Sequence, residues 1–261
     1  MGKLDGRVVI VTGAARGQGE QEARLFAAEG AQVVLGDVLD EQGTAVAKEI
    51  GEERARYVRL DVSREGDWAA AVAAAKEAFG RVDGLVNNAG ILRFNELVST
   101  PLEEFQQVVQ VNQVGAFLGI KTVAPEIEAA GGGTIVNTSS YTGLTGMAYV
   151  GSYAATKAAI VGLTRVAALE LAAKNIRVNA MCPGAVDTPM ANPGLLDPAD
   201  LSDEAREAMA ELYRRVVPMG RVGRPEEIAR LALFLSSEDS SYITGQPFVI
   251  DGGWMAGVSI L

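Results

Sequence analysis

The sequence has 261 residues, 48% of them hydrophobic, which suits one α/β domain with a single buried core. Its formal net charge of −10 argues against binding to the polyanionic backbone of a nucleic acid. Histidine is absent and Cys182 is the single cysteine, so the chain lacks the ligands of a usual zinc site and no metal centre is predicted.

The N-terminal segment reaches only the short apolar stretch Val8–Val11 before a Thr-Gly turn, which is too short for the core of a signal peptide. The longest apolar runs of the chain are also shorter than a membrane span. A single cysteine fits a reducing compartment. We therefore expect a cytoplasmic protein without membrane or nucleic-acid partners.

Short apolar runs alternate with segments of helical periodicity along the chain. Continuous Val, Ile and Leu runs are typical of strands that helices cover on both faces, so the pattern predicts a parallel sheet of about seven strands. Because no stretch has a disordered composition, we expect residues 1–261 to form a single domain. The predicted strands are Val8–Val11, Val33–Leu35, Tyr57–Leu60, Leu85–Val86, Thr134–Asn137, Val178–Met181 and Phe248–Ile250.

The first predicted strand runs into a glycine-rich turn, Thr12–Gly19, and a helical pattern begins near its end. Glycines without a Cβ let the backbone approach a pyrophosphate closely, and the N-terminus of the helix offers free N–H groups. A glycine turn alone is a weak signal. Its position between a strand and a helix favours a dinucleotide site.

Asp37 ends the second predicted strand, about 20 residues beyond the glycine turn. A carboxylate there can accept both ribose hydroxyls of an adenosine, and it repels a 2′-phosphate. Arg16 in the turn has the opposite tendency, because a guanidinium can pair with a 2′-phosphate. We give Asp37 the greater weight, because it would contact the ribose at the 2′ position, where NAD and NADP differ. We therefore predict NAD in preference to NADP.

Local sequence signals mark the start of two helices, and an irregular stretch precedes the second of them. Thr100–Glu103 contains a capping Thr, a Pro for the first helical position and a Glu, so a long helix should follow. Ser202–Glu204 opens an amphipathic segment that runs to about Val217. The stretch before it, Pro183–Pro198, is rich in Pro, Gly and Asp. Long loops are often lids, so we predict a substrate loop and helix at about residues 186–217.

Tyr153 and Lys157 lie four residues apart, which places both side chains on one face of a helix. A free Tyr has a pKa of about 10, and a neighbouring ammonium lowers that pKa toward the neutral range. Ser140, which we favour over Ser139, follows the predicted strand Thr134–Asn137 and can hydrogen-bond a substrate oxygen as charge develops. The spacing alone is common in helices, but Ser, Tyr and Lys together predict a general acid–base centre.

With these motifs in place, the sequence resembles the short-chain dehydrogenase/reductase family from about Gly6 to Trp254. The family's motifs match in order: Thr12-Gly13-x-x-x-Gly17-x-Gly19, Asp61-Val62, Asn87-Asn88-Ala89-Gly90, Asn112, Ser140 with Tyr153-x-x-x-Lys157, and Pro183-Gly184 with Thr188. The resemblance implies a doubly wound Rossmann fold and hydride transfer with a nicotinamide cofactor.

The resemblance also implies a role for each motif residue. Tyr153 would be the acid/base and Ser140 the partner of the substrate oxygen. Lys157 would anchor the ribose, and Asn112 would organise a water-linked proton relay. The cofactor would contact Gly13, Arg16, Gly17, Gln18, Gly19, Asp37, Asp61, Val62, Asn88, Ala89, Gly90, Tyr153, Lys157, Pro183, Gly184, Val186 and Thr188. Gln18 departs from the family, which usually has Ile or Leu there, and its role stays open.

Three segments, Val38–Glu41, Val82–Val86 and Asp251–Trp254, resemble the bacterial hydroxysteroid dehydrogenases of this family and are interpreted as structural. The residues expected near the substrate are mostly apolar: Leu92, Arg93, Tyr141, Leu144, Met147, Tyr149, Met190, Leu195 and Leu196. Polar groups left unpaired in such a pocket are costly to desolvate. We therefore predict a hydrophobic secondary alcohol or ketone as substrate, with a hydroxysteroid as one candidate.

Two other functions remain open at this point. An NADP-dependent ketoacyl or small-carbonyl reductase shares the catalytic motif, but Asp37 and the acidic charge argue against it. A non-catalytic dinucleotide sensor would not need Tyr153, Lys157 or Ser140. Family members are commonly tetramers in which the last strand and the C-terminal tail pack across a two-fold axis, so the resemblance implies a homotetramer with Phe248–Leu261 at the interface.

Overall fold

The computed structural model describes residues 2–190 and 203–257. It contains one sheet of seven strands in the order 3-2-1-4-5-6-7, and all neighbouring strands are parallel. The strands are β1 Val8–Thr12, β2 Gln32–Asp37, β3 Ala55–Arg59, β4 Gly84–Asn87, β5 Gly133–Thr138, β6 Ile176–Pro183 and β7 Pro247–Ile250. The predicted doubly wound parallel sheet is confirmed.

Helices cover both faces of this sheet. They are α1 Gly17–Ala28, α2 Asp40–Ile50, α3 Glu65–Phe79, α4 Leu102–Val108, α5 Gly115–Ala129, α6 Gly151–Leu171, α7 Asp203–Val216 and α8 Pro225–Ser236. A π-helix, Val109–Val114, joins α4 to α5. No helix within residues 2–190 and 203–257 is long and apolar enough to cross a membrane.

The predicted start of α4 is wrong by one residue. Pro101, expected at the first helical position, instead precedes the helix with extended backbone angles. The Thr100 hydroxyl does not cap the helix, because it donates to the carbonyl oxygen of Glu96 at 2.9 Å. The predicted cap at Ser202 lies outside the described residues, and α7 begins at Asp203.

Two apolar cores lie on opposite faces of the sheet, as the alternation of side chains along each strand requires. In β1, Val9 and Val11 pack into the core that contains Phe26 of α1 and Ile228 of α8. Ile10 packs into the other core, with residues of α3, α5 and α6. Each fully buried side chain of this size contributes about 1.5–3 kcal/mol to folding.

The chain direction of the strands positions the site. All seven strands are parallel, so their carboxyl ends share one edge. The connections leave β1 and β4 toward opposite faces of the sheet, which opens a crevice between these neighbouring strands. The glycine turn follows β1, Asn88–Gly90 follows β4, and Ser139 and Ser140 follow β5. Residues that are distant in sequence therefore meet at this crevice.

Candidate active site

A cavity of about 490 Å³ opens at the carboxyl edge of the sheet. Every predicted site residue lines it except Gly19 and Asn112. Gly19 lies under the glycine turn, where an added Cβ would be 2.3 Å from the carbonyl oxygen of Gly13. Asn112 is buried in the π-helix. The fold thus gathers the motifs into one cavity and its immediate support.

The glycine turn has the shape expected for an anion site. Gly13 and Gly17 have φ angles of 66° and 64°, in the left-handed region that favours glycine. A Cβ on Gly13 would lie 2.9 Å from the Cα of Ala89. Helix α1 begins at Gly17, and Arg16 before it provides no side-chain cap. The first N–H groups of α1 are therefore open to an anion such as a pyrophosphate.

Asp37 is nearly buried, and backbone N–H groups fix its carboxylate. One oxygen accepts the N–H of Ala15 at 2.9 Å, and the other accepts those of Val38 at 2.7 Å and Leu39 at 3.1 Å. The carboxylate has acceptor capacity left for a ribose hydroxyl. Arg16 is exposed and also lines the cavity, so both residues that bear on the choice of cofactor reach the same space.

Asn88 and Ala89 are tied to the end of β1. The hydroxyl oxygen of Thr12 accepts the N–H groups of both residues at 3.0 Å. The amide of Asn88 donates to the carbonyl oxygen of Thr12 at 3.0 Å. Gly90 follows, and an added Cβ there would lie 3.5 Å from Lys157 Nζ. This turn thereby joins the end of the cavity at the glycine turn to the end that holds Lys157.

Ser140, Tyr153 and Lys157 meet where β5 ends and α6 begins. Lys157 Nζ lies 5.4 Å from the centre of the Tyr153 ring and donates to the carbonyl oxygen of Thr138 at 2.7 Å. The Ser140 hydroxyl accepts the N–H of Thr142 at 3.2 Å. A Cβ on Gly143 would lie 2.7 Å from the Lys157 carbonyl oxygen, so only glycine lets this turn pack against α6.

The proton states of the pair differ from the sequence-based expectation. The protein groups around Tyr153 keep water away and raise its pKa to about 12, while the Ser140 hydroxyl acts in the opposite direction. Burial lowers the pKa of Lys157 to about 8. Lys157 does not lower the pKa of Tyr153 in the free site, where its Nζ donates to Thr138, and a lowering toward the neutral range beside a bound nicotinamide stays a prediction.

Asn112 connects three elements. Its Oδ1 accepts the N–H of Ile91 at 2.8 Å, and its Nδ2 donates to the Ile91 carbonyl oxygen at 2.9 Å and to Thr156 Oγ1 at 3.2 Å. The side chain thus links the π-helix to the chain after Gly90 and to α6. Single-turn π-helices are frequent at functional sites.

An aromatic wall closes the far side of the cavity. The rings of Tyr141 and Trp254 stack with centroids 4.5 Å apart, and Tyr213 contacts Trp254 edge-on at 6.1 Å. All three residues line the cavity. The interpretation of Trp254 as purely structural is therefore wrong, and Tyr213 was missed. No local pattern marks them, because α7 and the chain after β7 reach the cavity only through the fold.

The other predicted substrate residues divide into two groups. Leu92, Tyr141, Met147 and Met190 line the cavity. Among the described residues, Arg93, Leu144 and Tyr149 do not line it, and Leu195 and Leu196 lie outside the described ranges. The Arg93 guanidinium donates to the backbone carbonyl oxygen of the adjacent residue Leu92 at 3.0 Å.

Thr138 lines the cavity although it is not among the predicted site residues. Its carbonyl oxygen holds Lys157, and its buried hydroxyl oxygen has no hydrogen-bond partner among the described residues. The run of hydroxyls Thr138-Ser139-Ser140 at the strand end was the available signal. Within the described ranges, no three Cys, Asp or Glu side chains form a group that could hold a metal ion.

Comparisons with known proteins bear on the chemistry of this cavity. A family model described as enoyl-(acyl carrier protein) reductase matches residues 13–255. The 3-alpha-(or 20-beta)-hydroxysteroid dehydrogenase of Mycobacterium tuberculosis is 45% identical over 258 residues, which cover 99% of this chain and 93% of that protein. The 2,5-dichloro-2,5-cyclohexadiene-1,4-diol dehydrogenase of Sphingobium indicum is 41% identical over 259 residues, covering 98% of this chain and 99% of that protein.

The crystal structure of levodione reductase matches with a TM-score of 0.90 and 39% identity, covering 98% of this chain and 100% of that one. The predicted family and the predicted similarity to a bacterial hydroxysteroid dehydrogenase are both confirmed. The chain therefore belongs to the short-chain dehydrogenase/reductase family and is an oxidoreductase of secondary alcohols and ketones that uses a nicotinamide dinucleotide.

Proposed function

We propose that the chain is an NAD(H)-dependent dehydrogenase that interconverts a hydrophobic secondary alcohol and its ketone, with a hydroxysteroid as the first candidate. The cavity carries this proposal, because it joins the Asp37 carboxylate, the Ser140 and Tyr153 hydroxyls and an aromatic wall in one space. The similarity to a 3-alpha-(or 20-beta)-hydroxysteroid dehydrogenase supports the choice of substrate class.

The proposed cofactor site uses the backbone of the glycine turn and the fixed carboxylate. N–H groups at the start of α1 would hold the pyrophosphate, and Asp37 would accept a ribose hydroxyl of the adenosine. A bound nicotinamide would accept hydride during alcohol oxidation and donate it during ketone reduction. The complete proposed contact set is Gly13, Arg16, Gly17, Gln18, Gly19, Asp37, Asp61, Val62, Asn88, Ala89, Gly90, Tyr153, Lys157, Pro183, Gly184, Val186 and Thr188.

Tyr153 is the proposed acid/base. With a pKa of about 12 in the free site, its phenol is protonated at neutral pH and can donate to a ketone oxygen. In the reverse direction its phenolate takes the proton from the alcohol, and positive charge nearby favours the phenolate. Ser140 donates a hydrogen bond to the reacting oxygen, and Lys157 anchors the ribose. Asn112 holds the loop at Ile91 and organises the proton relay.

A comparison of kcat/KM for NAD and NADP, with a panel of steroids, cyclic alcohols, sugars and hydroxy acids, tests the proposal. We expect preference for NAD and activity on bulky apolar alcohols, because the far wall is aromatic. A clear preference for NADP would overturn the cofactor assignment. Activity confined to sugars would overturn the substrate class.

We further propose that the protein is a cytoplasmic homotetramer. Each chain would form one domain, and residues 186–217 would cover the substrate. Tyr213 of α7 lines the cavity, which supports a substrate role for that segment. The apolar Val249 on the edge strand β7 is 46% exposed, which supports a subunit contact there.

A further inference from the structure

Helix α1 carries two side chains whose buried oxygens have no hydrogen-bond partner among the described residues. Both carboxyl oxygens of Glu22 are in this state, and so is Oε1 of Gln18. Glu22 is fully buried, whereas Gln18 is partly buried and lines the cavity. Buried polar atoms without partners are rare in folded proteins, so this pair calls for a physical explanation.

Helix geometry relates the two side chains. Positions four residues apart lie on one face, about 5–6 Å apart at Cβ. Side chains of a helix point toward its N-terminus, so we expect the carboxyl of Glu22 over the turn that carries Gln18. An ionised carboxylate and an amide oxygen are both acceptors and cannot bond each other. A protonated carboxyl can donate to the amide oxygen, which provides a partner for Gln18 Oε1 and for one of the two Glu22 oxygens.

The surroundings of Glu22 favour the protonated form. Burial raises the pKa of Glu22 to about 8, and burial is the sole cause of that shift. Arg24, the nearest cation on α1, is paired with Glu20 at 2.9 Å and with Glu49 at 2.6 Å. No charge within the described part of the chain offsets the cost of burying an ionised Glu22.

The elements packed against α1 are β1, β2, α2 and α8. Strand β1 has no charged residue, and Asp37 of β2 is bonded to backbone N–H groups. The remaining titratable groups of these elements are exposed or paired: Asp40, Glu41, Lys48 and Glu49 on α2, and Glu226, Glu227 and Arg230 on α8. None of them shifts the titration of Glu22.

We propose that protonated Glu22 donates a hydrogen bond to Gln18 Oε1 and thereby holds the Gln18 amide N–H₂ toward the bound dinucleotide, as a donor to its pyrophosphate. Glu22 is then a positioning residue and Gln18 a binding residue. This inference rests on the proposed cofactor site. It accounts for the polar residue at a position where the family usually has Ile or Leu.

The arrangement makes cofactor binding depend on pH. The pKa of Glu22 is raised, so its proton is present at neutral pH and is lost as the pH rises through about 8. The ionised carboxylate cannot donate and repels the Gln18 amide oxygen, which releases the amide. Lys157 also titrates near pH 8, so the two effects have to be separated.

To separate the effects of Glu22 and Lys157, the dissociation constant of NADH is measured between pH 6.5 and 9.5 for the full chain and for its Glu22→Gln variant. Glu22→Gln retains a neutral donor at every pH, whereas Lys157 titrates equally in both proteins. We expect the ratio of dissociation constants, wild type over Glu22→Gln, to rise roughly tenfold across this range. Glu22→Leu, which has no donor, should weaken binding at pH 6.5, and Glu22→Gln should rescue it.

Gln18→Leu should weaken NADH binding roughly five- to tenfold at pH 6.5 and remove the additional effect of Glu22→Gln at high pH. Glu20→Gln is the matched control on the same helix and should retain the pH response of the wild type. If the wild type binds NADH but the ratio of dissociation constants stays constant across the pH range, the inference about Glu22 is overturned and the proposed function is not. Normal NADH binding by Gln18→Leu would have the same consequence. A wild type that binds no dinucleotide overturns the proposed function together with this inference.

Discussion

Tyr153 holds its proton firmly in the free site, because the protein around it disfavours the phenolate more than Ser140 favours it. Lys157 is the counterpart, since its own charge is disfavoured by burial. At neutral pH the pair is therefore a neutral phenol beside an ammonium, and additional positive charge next to Tyr153 would be needed to favour its phenolate. At the residue scale, hydrogen bonding alone does not activate the site.

Tyr153→Phe removes the proposed proton donor and little else, because the ring and its packing remain. We expect kcat to fall by about 10²–10⁴-fold, the usual contribution of a general acid–base group. Turnover under saturating substrate and NAD, with NADH binding measured in parallel, is the test. Unchanged turnover would contradict the role of Tyr153, whereas a wild type that binds NADH but turns over no substrate would revive the dinucleotide sensor.

Asp37→Asn tests the choice of cofactor. The amide would keep an acceptor for the N–H groups of Val38 and Leu39, but it would lose the negative charge that repels a 2′-phosphate. We expect the ratio of kcat/KM for NAD over NADP to fall by about tenfold or more. Glu41→Gln, an exposed carboxylate on α2, is the control. An unchanged ratio would assign the discrimination to another residue, with Arg16 the first to examine.

At the residue scale, the placement of side chains could be predicted from sequence where the relation is local. The Tyr153–Lys157 pair follows from helical spacing, and Ser140 follows from the end of a strand. The stacking of Tyr141 on Trp254 was not predictable, because the two lie far apart along the chain and meet only through the fold. The direction of the Tyr153 pKa also required the three-dimensional surroundings, since burial decides it.

Helix α1 illustrates how one buried group affects an element. The pKa of Glu22 is raised from 4.5 to about 8, so the folded protein holds one more proton than the unfolded chain between these values. The stabilising contribution is complete below pH 4.5 and is lost as the pH rises to about 8. Over that window the free energy of unfolding should fall by about 1.4 kcal/mol per pH unit on account of Glu22.

Urea denaturation at several pH values between 5.5 and 7.5 checks this slope. The difference in unfolding free energy between Glu22→Gln and the wild type should grow in favour of the variant as the pH rises. Glu20→Gln, whose carboxylate is partly exposed and paired with Arg24, should stay parallel to the wild type. Parallel behaviour of Glu22→Gln would show that Glu22 has an ordinary pKa.

The π-helix before α5 places Asn112 where its amide can hold the loop at Ile91. Asn112→Ala should leave the partly buried N–H and carbonyl of Ile91 without their side-chain partner and cost about 1 kcal/mol of stability. We also expect kcat to decline more than NADH affinity, because the variant should disturb the proposed proton relay. Thermal unfolding and steady-state kinetics test both parts. A stable variant with full kcat would contradict them.

Element types were predictable because buried parallel strands have continuous apolar runs and helices have their own period. The ends of these helices and strands were less predictable from the sequence. The Thr100–Glu103 signal indicated a helix correctly, yet Thr100 bonds Glu96 instead of capping it. The interruption of the α4–α5 segment by a π-helix has no sequence signature in Val109–Val114, since all of its residues also fit an α-helix.

At the scale of the whole molecule, exposed apolar side chains on strand β7 and on helices α5 and α6 offer two surfaces for contact with other copies of the chain. Strand β7 ends the sheet and exposes Val249, so its free edge can pair or pack with a second copy. Helices α5 and α6 expose Phe117, Val166 and Leu169, the last of them 82% exposed. A tetramer of dihedral symmetry needs two different self-complementary contacts, and these surfaces supply two candidates.

Leu169→Glu and Val249→Glu test this assembly separately. Each places a charge in one proposed contact, where desolvation without a partner is costly, so each should convert a tetramer into a dimer. The two changes together should give a monomer. Light scattering coupled to size-exclusion chromatography measures the mass of the wild type and of each variant. A monomeric wild type would contradict the proposed tetramer, and a tetramer that survives both charges would place the contacts elsewhere.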